Sequence, residues 1–139
     1  MNQQPQKLNE MFNKKIVRKV LQQTWALDGN PGYDPNKLSD DQSSVVSQLI
    51  YDIFGGEILK TNKKKSWHFY NRINGERIDL ALSETEKTYP YSHFQDLTST
   101  PEEIHNYFAQ EDYSTFYMKF ISVFEEVIGL NKNRYKSAV

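Results

Sequence analysis

Apolar residues set the first boundaries in this chain. From Lys7 to Trp25, Leu8, Met11, Phe12, Ile16, Val17, Val20, Leu21 and Trp25 recur at helical spacing. Lys7, Lys14, Lys15, Arg18 and Lys19 lie between them, so the pattern predicts an amphipathic helix with a solvated basic side. Residues 28–39 hold Gly29, Pro31, Gly32 and Pro35 and read as a loop. Ser39-Asp40-Asp41 supplies N-cap chemistry for a second helix carrying Val45, Val46, Leu49, Ile50, Ile53 and Phe54. Gly55-Gly56 terminates it. Residues 57–60 read as a short strand and 61–65 as a polar turn. Residues 67–73 and 76–82 then read as two strands joined by Asn74-Gly75, the strongest short signal for a type I′ hairpin. The Tyr-, Ser- and Thr-rich stretch 83–99 reads as irregular. Thr100-Pro101-Glu102-Glu103 is a capping box with Pro at the first helical position, opening a short helix to about Gln110. A last helix is predicted over 114–128, with Phe116, Phe120, Ile121, Phe124, Val127 and Ile128 on one side and Gly129 as its cap. Strands and helices are segregated, which indicates α+β: a small three-stranded antiparallel sheet covered by helices.

The hairpin register follows by counting outward from Asn74-Gly75. Ile73 faces Glu76, Arg72 faces Arg77, Asn71 faces Ile78, Tyr70 faces Asp79, and His68 faces Ala81. Alternation puts His68, Tyr70, Arg72, Arg77, Asp79 and Ala81 on one face. Trp67, Phe69, Asn71, Ile73, Ile78, Leu80 and Leu82 form the other, core-like face. His68 and Asp79 are diagonal neighbours, about 7–8 Å apart by backbone and closer at the side chains. A carboxylate there can fix the imidazole tautomer and favour the imidazolium. Arg72 opposite Arg77 is a like-charge pair, the one mark against this register. On the second helix, at about 100° per residue, Ser43 falls at the border of the apolar arc and Ser44 opposite it, toward solvent. Ser43 thus sits in the first turn, where unpaired N–H groups and the positive dipole end depress a thiol pKa or bind an oxyanion. Serine is also common there simply as a cap.

Composition narrows the functional classes. The chain has 139 residues, the size of one domain, with residues 1–6 expected to be disordered, 7–130 to form the domain and 131–139 a polar tail. Lys+Arg is 17 and Asp+Glu is 18, which argues against a dedicated nucleic-acid binder. The Lys63-Lys64-Lys65 run beside Trp67 reads as a soluble turn. No apolar run approaches the ~20 residues of a membrane span, and the N-terminus lacks a signal-peptide core, so a cytoplasmic protein is expected. There is no cysteine, which excludes disulfides and a thiol nucleophile. His68, His93 and His105 are too widely spaced for a tight metal-ligand pair, so neither a metal nor a cofactor is expected.

The stretches Asp41-Gln42-Ser43-Ser44-Val45-Val46, Asp52-Ile53-Phe54-Gly55-Gly56-Glu57-Ile58-Leu59, Trp67-His68-Phe69-Tyr70-Asn71-Arg72 and Asn74-Gly75-Glu76-Arg77-Ile78-Asp79-Leu80 resemble the YunG-like family of small bacterial proteins. That family's pattern is roughly Gly-Gln-Cys, an apolar helix, Phe-Gly-Gly-Glu, a strand with His and Asn, and Asp-Leu-Thr. Its Cys, His, Asp order looks like a papain or transglutaminase type of core. The resemblance implies Ser43 in the place of the Cys nucleophile, His68 as base and Asp79 as its orienter. It also implies Gln42 as a carbonyl-polarising support and Asn71 as a structural support. Trp67 and Tyr70, with His68, would line a cleft for a peptide or protein. Ser43 departs from the Cys of the pattern and Ala81 from its Thr, a second departure that favours natural drift over an engineered replacement. A serine in a site shaped for a thiol keeps the shape and loses most of the rate. The two readings are therefore a weakened acyl-transfer enzyme and a non-catalytic peptide- or protein-binding module on the same fold.

Overall fold

A computed structural model describes residues 12–27, 40–63, 66–80 and 94–129. The expectations for residues 1–11, for the loop 28–39, for the turn residues 64–65, for residues 81–93 with Ala81 and His93, and for the tail from 131 lie outside the described residues. Helix α1 spans Lys14–Leu27 and α2 spans Asp40–Phe54. Strands β1 (Glu57–Lys63), β2 (Ser66–Ile73), β3 (Glu76–Ile78) and β4 (Leu97–Ser99) follow. A short α3 (Pro101–Ile104) runs into a 3₁₀ turn at His105–Tyr107, and α4 covers Gln110–Val127. The class is α+β, with strands in the order β3-β2-β1-β4 and every neighbour antiparallel.

The sheet therefore has four strands, not three. The fourth is Leu97–Ser99, inside the stretch read as irregular, and it pairs with the outer side of β1. Three residues are too few to show alternation, yet they satisfy β1 backbone groups that would otherwise lack partners. β1 is also longer than expected, because Thr61, Asn62 and Lys63 pair with His68, Trp67 and Ser66. Their polar side chains hid a strand whose backbone pairs regularly. α1 starts at Lys14, and the part of the apolar pattern over residues 7–11 lies outside the described residues. The side chain of Asn13 accepts the N–H of Ile16 at 3.0 Å, which makes Asn13 the N-cap. α4 begins earlier, at Gln110, with Ala109 as an N-cap that offers no side-chain hydrogen bond.

The hairpin register matches the counted one: Ile73↔Glu76, Arg72↔Arg77 and Asn71↔Ile78. Asn74 (φ 53°) and Gly75 (φ 80°) are both left-handed, as a type I′ turn requires. The like-charge pair is resolved by turning each guanidinium to its own acid, Arg72 to Glu57 and Arg77 to Asp96. β3, however, ends at Ile78 rather than continuing to Leu82.

Register and alternation sort the sheet into two faces. One carries Ile58, Phe69, Asn71, Ile73 and Ile78. Against it packs α2, and beyond α2 lie α1 and α4. The main core joins Val17, Val20 and Leu21 of α1, Leu49, Ile50 and Phe54 of α2, Ile73 and Ile78 of the sheet, and Phe116, Phe120 and Phe124 of α4. Ser44 is consequently buried, at 2% exposure, where helix phase alone had turned it to solvent. α2 is covered on more than its apolar arc, because it lies between the sheet and the outer helices. The opposite sheet face carries Leu59, His68, Tyr70, Arg72 and Arg77. Leu59 and Tyr70 form a second small cluster there with Phe94.

Candidate functional site

Two strands and one helix start position the site. His68 stands on β2, and Asp79 stands one residue past the end of β3. Their diagonal relation in the register brings His68 Nε2 to 2.6 Å from Asp79 Oδ2. Both side chains are fully buried. Asp79 Oδ1 has no hydrogen-bond partner among the described residues. The imidazole is held between rings, with Tyr70 stacked at 6.0 Å and Phe94 edge-on at 5.8 Å between centroids. Buried, hydrogen-bonded and packed, the ring has one defined orientation, with Nε2 committed to the carboxylate.

Ser43 arrives from the other side of the sheet. It is fully buried in the first turn of α2, and its Oγ accepts the N–H of Phe69 at 3.1 Å. That N–H comes every second residue after those of Ile73 and Asn71, so in a continued ladder it would meet β3. Because β3 stops at Ile78, Ser43 supplies the acceptor instead. The serine oxygen thus lies at the gap where the ladder opens, on the residue that follows His68. Of the three residues read from the sequence, His68 and Asp79 are in direct contact, whereas Ser43 bonds to the backbone N–H of Phe69 from the sheet face opposite the His68 side chain.

The supporting residues divide. Asn71 Nδ2 donates to Ser47 O at 3.0 Å, tying β2 to α2 on the helix-covered face. Gln42 is half-buried, just ahead of Ser43. Trp67 projects from the face opposite His68, half-buried, with the Lys60 ammonium over its ring at 4.4 Å. Tyr70 shares the face of His68 and is 1% exposed. His105 is exposed on its 3₁₀ turn.

Sequence reading missed residues 94–96, which cover the His68 face. Tyr70 donates its hydroxyl to Asp96 Oδ1 at 2.6 Å and accepts the Asp96 N–H at 2.8 Å. Arg77 grips the same carboxylate with two bonds, Nε to Oδ1 at 3.0 Å and Nη2 to Oδ2 at 2.6 Å. The Arg77 bonds, then the Tyr70 bond, hold the Asp96 carboxyl below its ordinary range. Burial first, and the bond to Asp96 second, push the Tyr70 phenol well above its ordinary value. Asp96 also has φ 55°, a left-handed turn that Asp tolerates better than most residues. An aspartate just before a short strand was the available signal. Nothing local marks it as the partner of Arg77.

Two surface cavities lie away from this cluster. One, of about 470 Å³, is lined by Lys14, Lys15, Arg18, Lys19 and Gln22. The other, of about 440 Å³, is lined by Asp52, Tyr113, Ser114, Tyr117 and Met118. Among the described residues no helix is long and apolar enough to cross a membrane, and no group of three or more His, Asp or Glu side chains is placed to hold a metal.

The model of the YunG protein family matches residues 13–124, most of the chain. The chain belongs to the YunG family. The matched span contains Gln42, Ser43, Trp67, His68, Tyr70, Asn71 and Asp79. The chain is 35% identical over 77 residues to the uncharacterized protein YunG of Bacillus subtilis (strain 168), covering 55% of this chain and 67% of that relative. No solved structure matches.

Proposed function

We propose that Ser43, His68 and Asp79 are the acyl-transfer constellation of a papain- or transglutaminase-like core, with Ser43 in the position of a thiol nucleophile and with much weakened activity. The observation that carries this reading is the buried 2.6 Å contact between His68 Nε2 and Asp79 Oδ2, with Ser43 Oγ bonded to the next residue, Phe69. In this reading Ser43 Oγ bonds to a peptide or amide carbonyl carbon and its proton passes to His68. The tetrahedral adduct then expels the amine, which leaves with that proton. Since Nε2 is engaged by Asp79, Nδ1 is the nitrogen that takes the proton. Asp79 is the positioning residue: it sets the tautomer and stabilises the imidazolium as it forms. A hydroxyl needs its proton removed during attack, whereas a thiol ionises beforehand, so serine here is slow.

The test restores the thiol. Ser43→Cys should react with a cysteine-directed acyl or alkylating probe, and adding His68→Ala should slow that labelling about a hundredfold. Labelling that does not change when His68 is removed overturns the reading. A second reading draws on the burial of Ser43, His68 and Tyr70, each at most 1% exposed. Under it the fold is a non-catalytic binding module for a peptide or protein. A pull-down in which His68→Ala and Asp79→Ala retain the partner, together with no His68-dependent labelling, would favour it.

A further inference from the structure

On α2, Asp52 lies about 13 Å along the axis from Ser43 and on the opposite side of the helix. It belongs to a different constellation. Its carboxylate is exposed yet held from two directions, both by uncharged groups. Gln48 Nε2 donates to Oδ1 at 2.8 Å, and the Tyr113 hydroxyl donates to Oδ2 at 2.5 Å. Among the described residues no cation stands within ion-pair distance of it. Gln48 Oε1, the other end of the same amide, is buried with no hydrogen-bond partner among the described residues. Burial and the neighbouring carboxylate raise the Tyr113 phenol far above its usual value, and it stays a neutral donor. The rings of Tyr113 and Tyr117 meet at an angle of 54° with centroids 6.1 Å apart. Phe108 stacks on Tyr113 at 5.2 Å and fixes that ring. Met118, 69% exposed, and Ser114 complete the cavity of about 440 Å³.

We infer that this cavity binds an alkylammonium group, with Asp52 as its counter-ion and the tyrosine rings as its walls. A fixed carboxylate with no cation within ion-pair distance among the described residues, and two aromatic rings beside it, favour positive charge. Aromatic faces attract a cation more than a neutral group of the same shape. The thioether of Met118 adds a polarizable apolar contact for the alkyl part. The volume lies within the ~300–1,000 Å³ of ordinary small-ligand sites. The ammonium can come from a free small cation or from a lysine side chain of another protein.

The experiment is an NMR titration of the full chain, read at the backbone amides of Asp52, Ser114 and Tyr117. The probes are choline, its uncharged carbon isostere 3,3-dimethylbutan-1-ol, a short peptide with one lysine, and the same peptide with norleucine. Saturable shifts with either cation, absent with its uncharged counterpart, support the site. The cation that binds tells a free amine from a protein lysine. Asp52→Asn keeps an acceptor for Tyr113 and should weaken binding about tenfold. No shift from either cation at about 50 mM, where even a millimolar site would be filled, overturns the inference. So does an uncharged isostere that binds as well as its cation. The isostere comparison uses the unaltered protein, so it stands even if Asp52→Asn folds poorly.

Discussion

Asp79→Ala would leave His68 Nε2 buried without its carboxylate. An orphaned buried ring N–H costs about 1–3 kcal/mol, so the urea midpoint should fall accordingly. Asp79→Asn keeps an oxygen in reach and should cost less. Equal losses for the two variants would show that the contact contributes little to stability. This pair was legible in the sequence because Asn74-Gly75 fixes a register, and a register fixes diagonal neighbours. Ser43 was legible from the residues only as a position at the border of the apolar arc near a helix start, and its place in the site came from the family resemblance. Its bond to Phe69 N–H depends on β3 stopping at Ile78, and no local pattern in the residues after Ile78 announces that stop. Ser44 was misread for a related reason: helix phase reports one packed side, and α2 is covered on more than one.

At the scale of elements, the turn between α2 and β1 carries the sharpest steric constraint. Gly56 has φ 82°, and a Cβ there would stand 2.4 Å from the carbonyl oxygen of Arg72 on β2. That oxygen belongs to backbone and cannot swing away. Gly75 has a nearly equal φ of 80°, but a Cβ there meets nothing within 4 Å. Both Gly→Ala variants carry the left-handed strain of about 1 kcal/mol. Gly56→Ala adds the clash, so its loss in chemical denaturation should exceed that of Gly75→Ala by at least about 1 kcal/mol. Equal losses would mean that the α2–β1 turn shifts freely. The sequence signalled both turns, since Gly-Gly after an apolar helix and Asn-Gly between strands each have one common use. It signalled element lengths less well. Strand ends at Lys63 and Ile78 are decided by what pairs alongside, and the helix start at Lys14 by the single cap Asn13, so neither shows in the apolar period.

Across the whole molecule, the order of helices and strands was readable because each long element buries a continuous apolar stripe. The cover over the His68 face was not, because it joins one ring, Phe94, to polar bonds between distant residues. Two such ties close the sheet from opposite faces. Arg77 and Tyr70 hold Asp96 on one face, and Lys60 and Ser99 hold Glu103 on the other. Each carboxyl is held below its ordinary range, Asp96 first by Arg77 and Glu103 first by Lys60. A carboxyl whose folded pKa is depressed binds its proton more readily in the unfolded chain. The stability it contributes is therefore complete above the unfolded values of 4.5 for Glu and 3.8 for Asp. It is lost as the pH falls from there through the lower folded values. Both side chains keep partial solvent contact, 27% for Asp96 and 32% for Glu103, so screening trims the effect. The unfolding midpoint of the unaltered chain should thus drop as the pH falls below about 4.5. The double variant Asp96→Asn, Glu103→Gln should be less stable at pH 7 and fall less steeply in acid. If its acid limb is as steep as that of the unaltered chain, the ties that close the sheet are not what acid breaks.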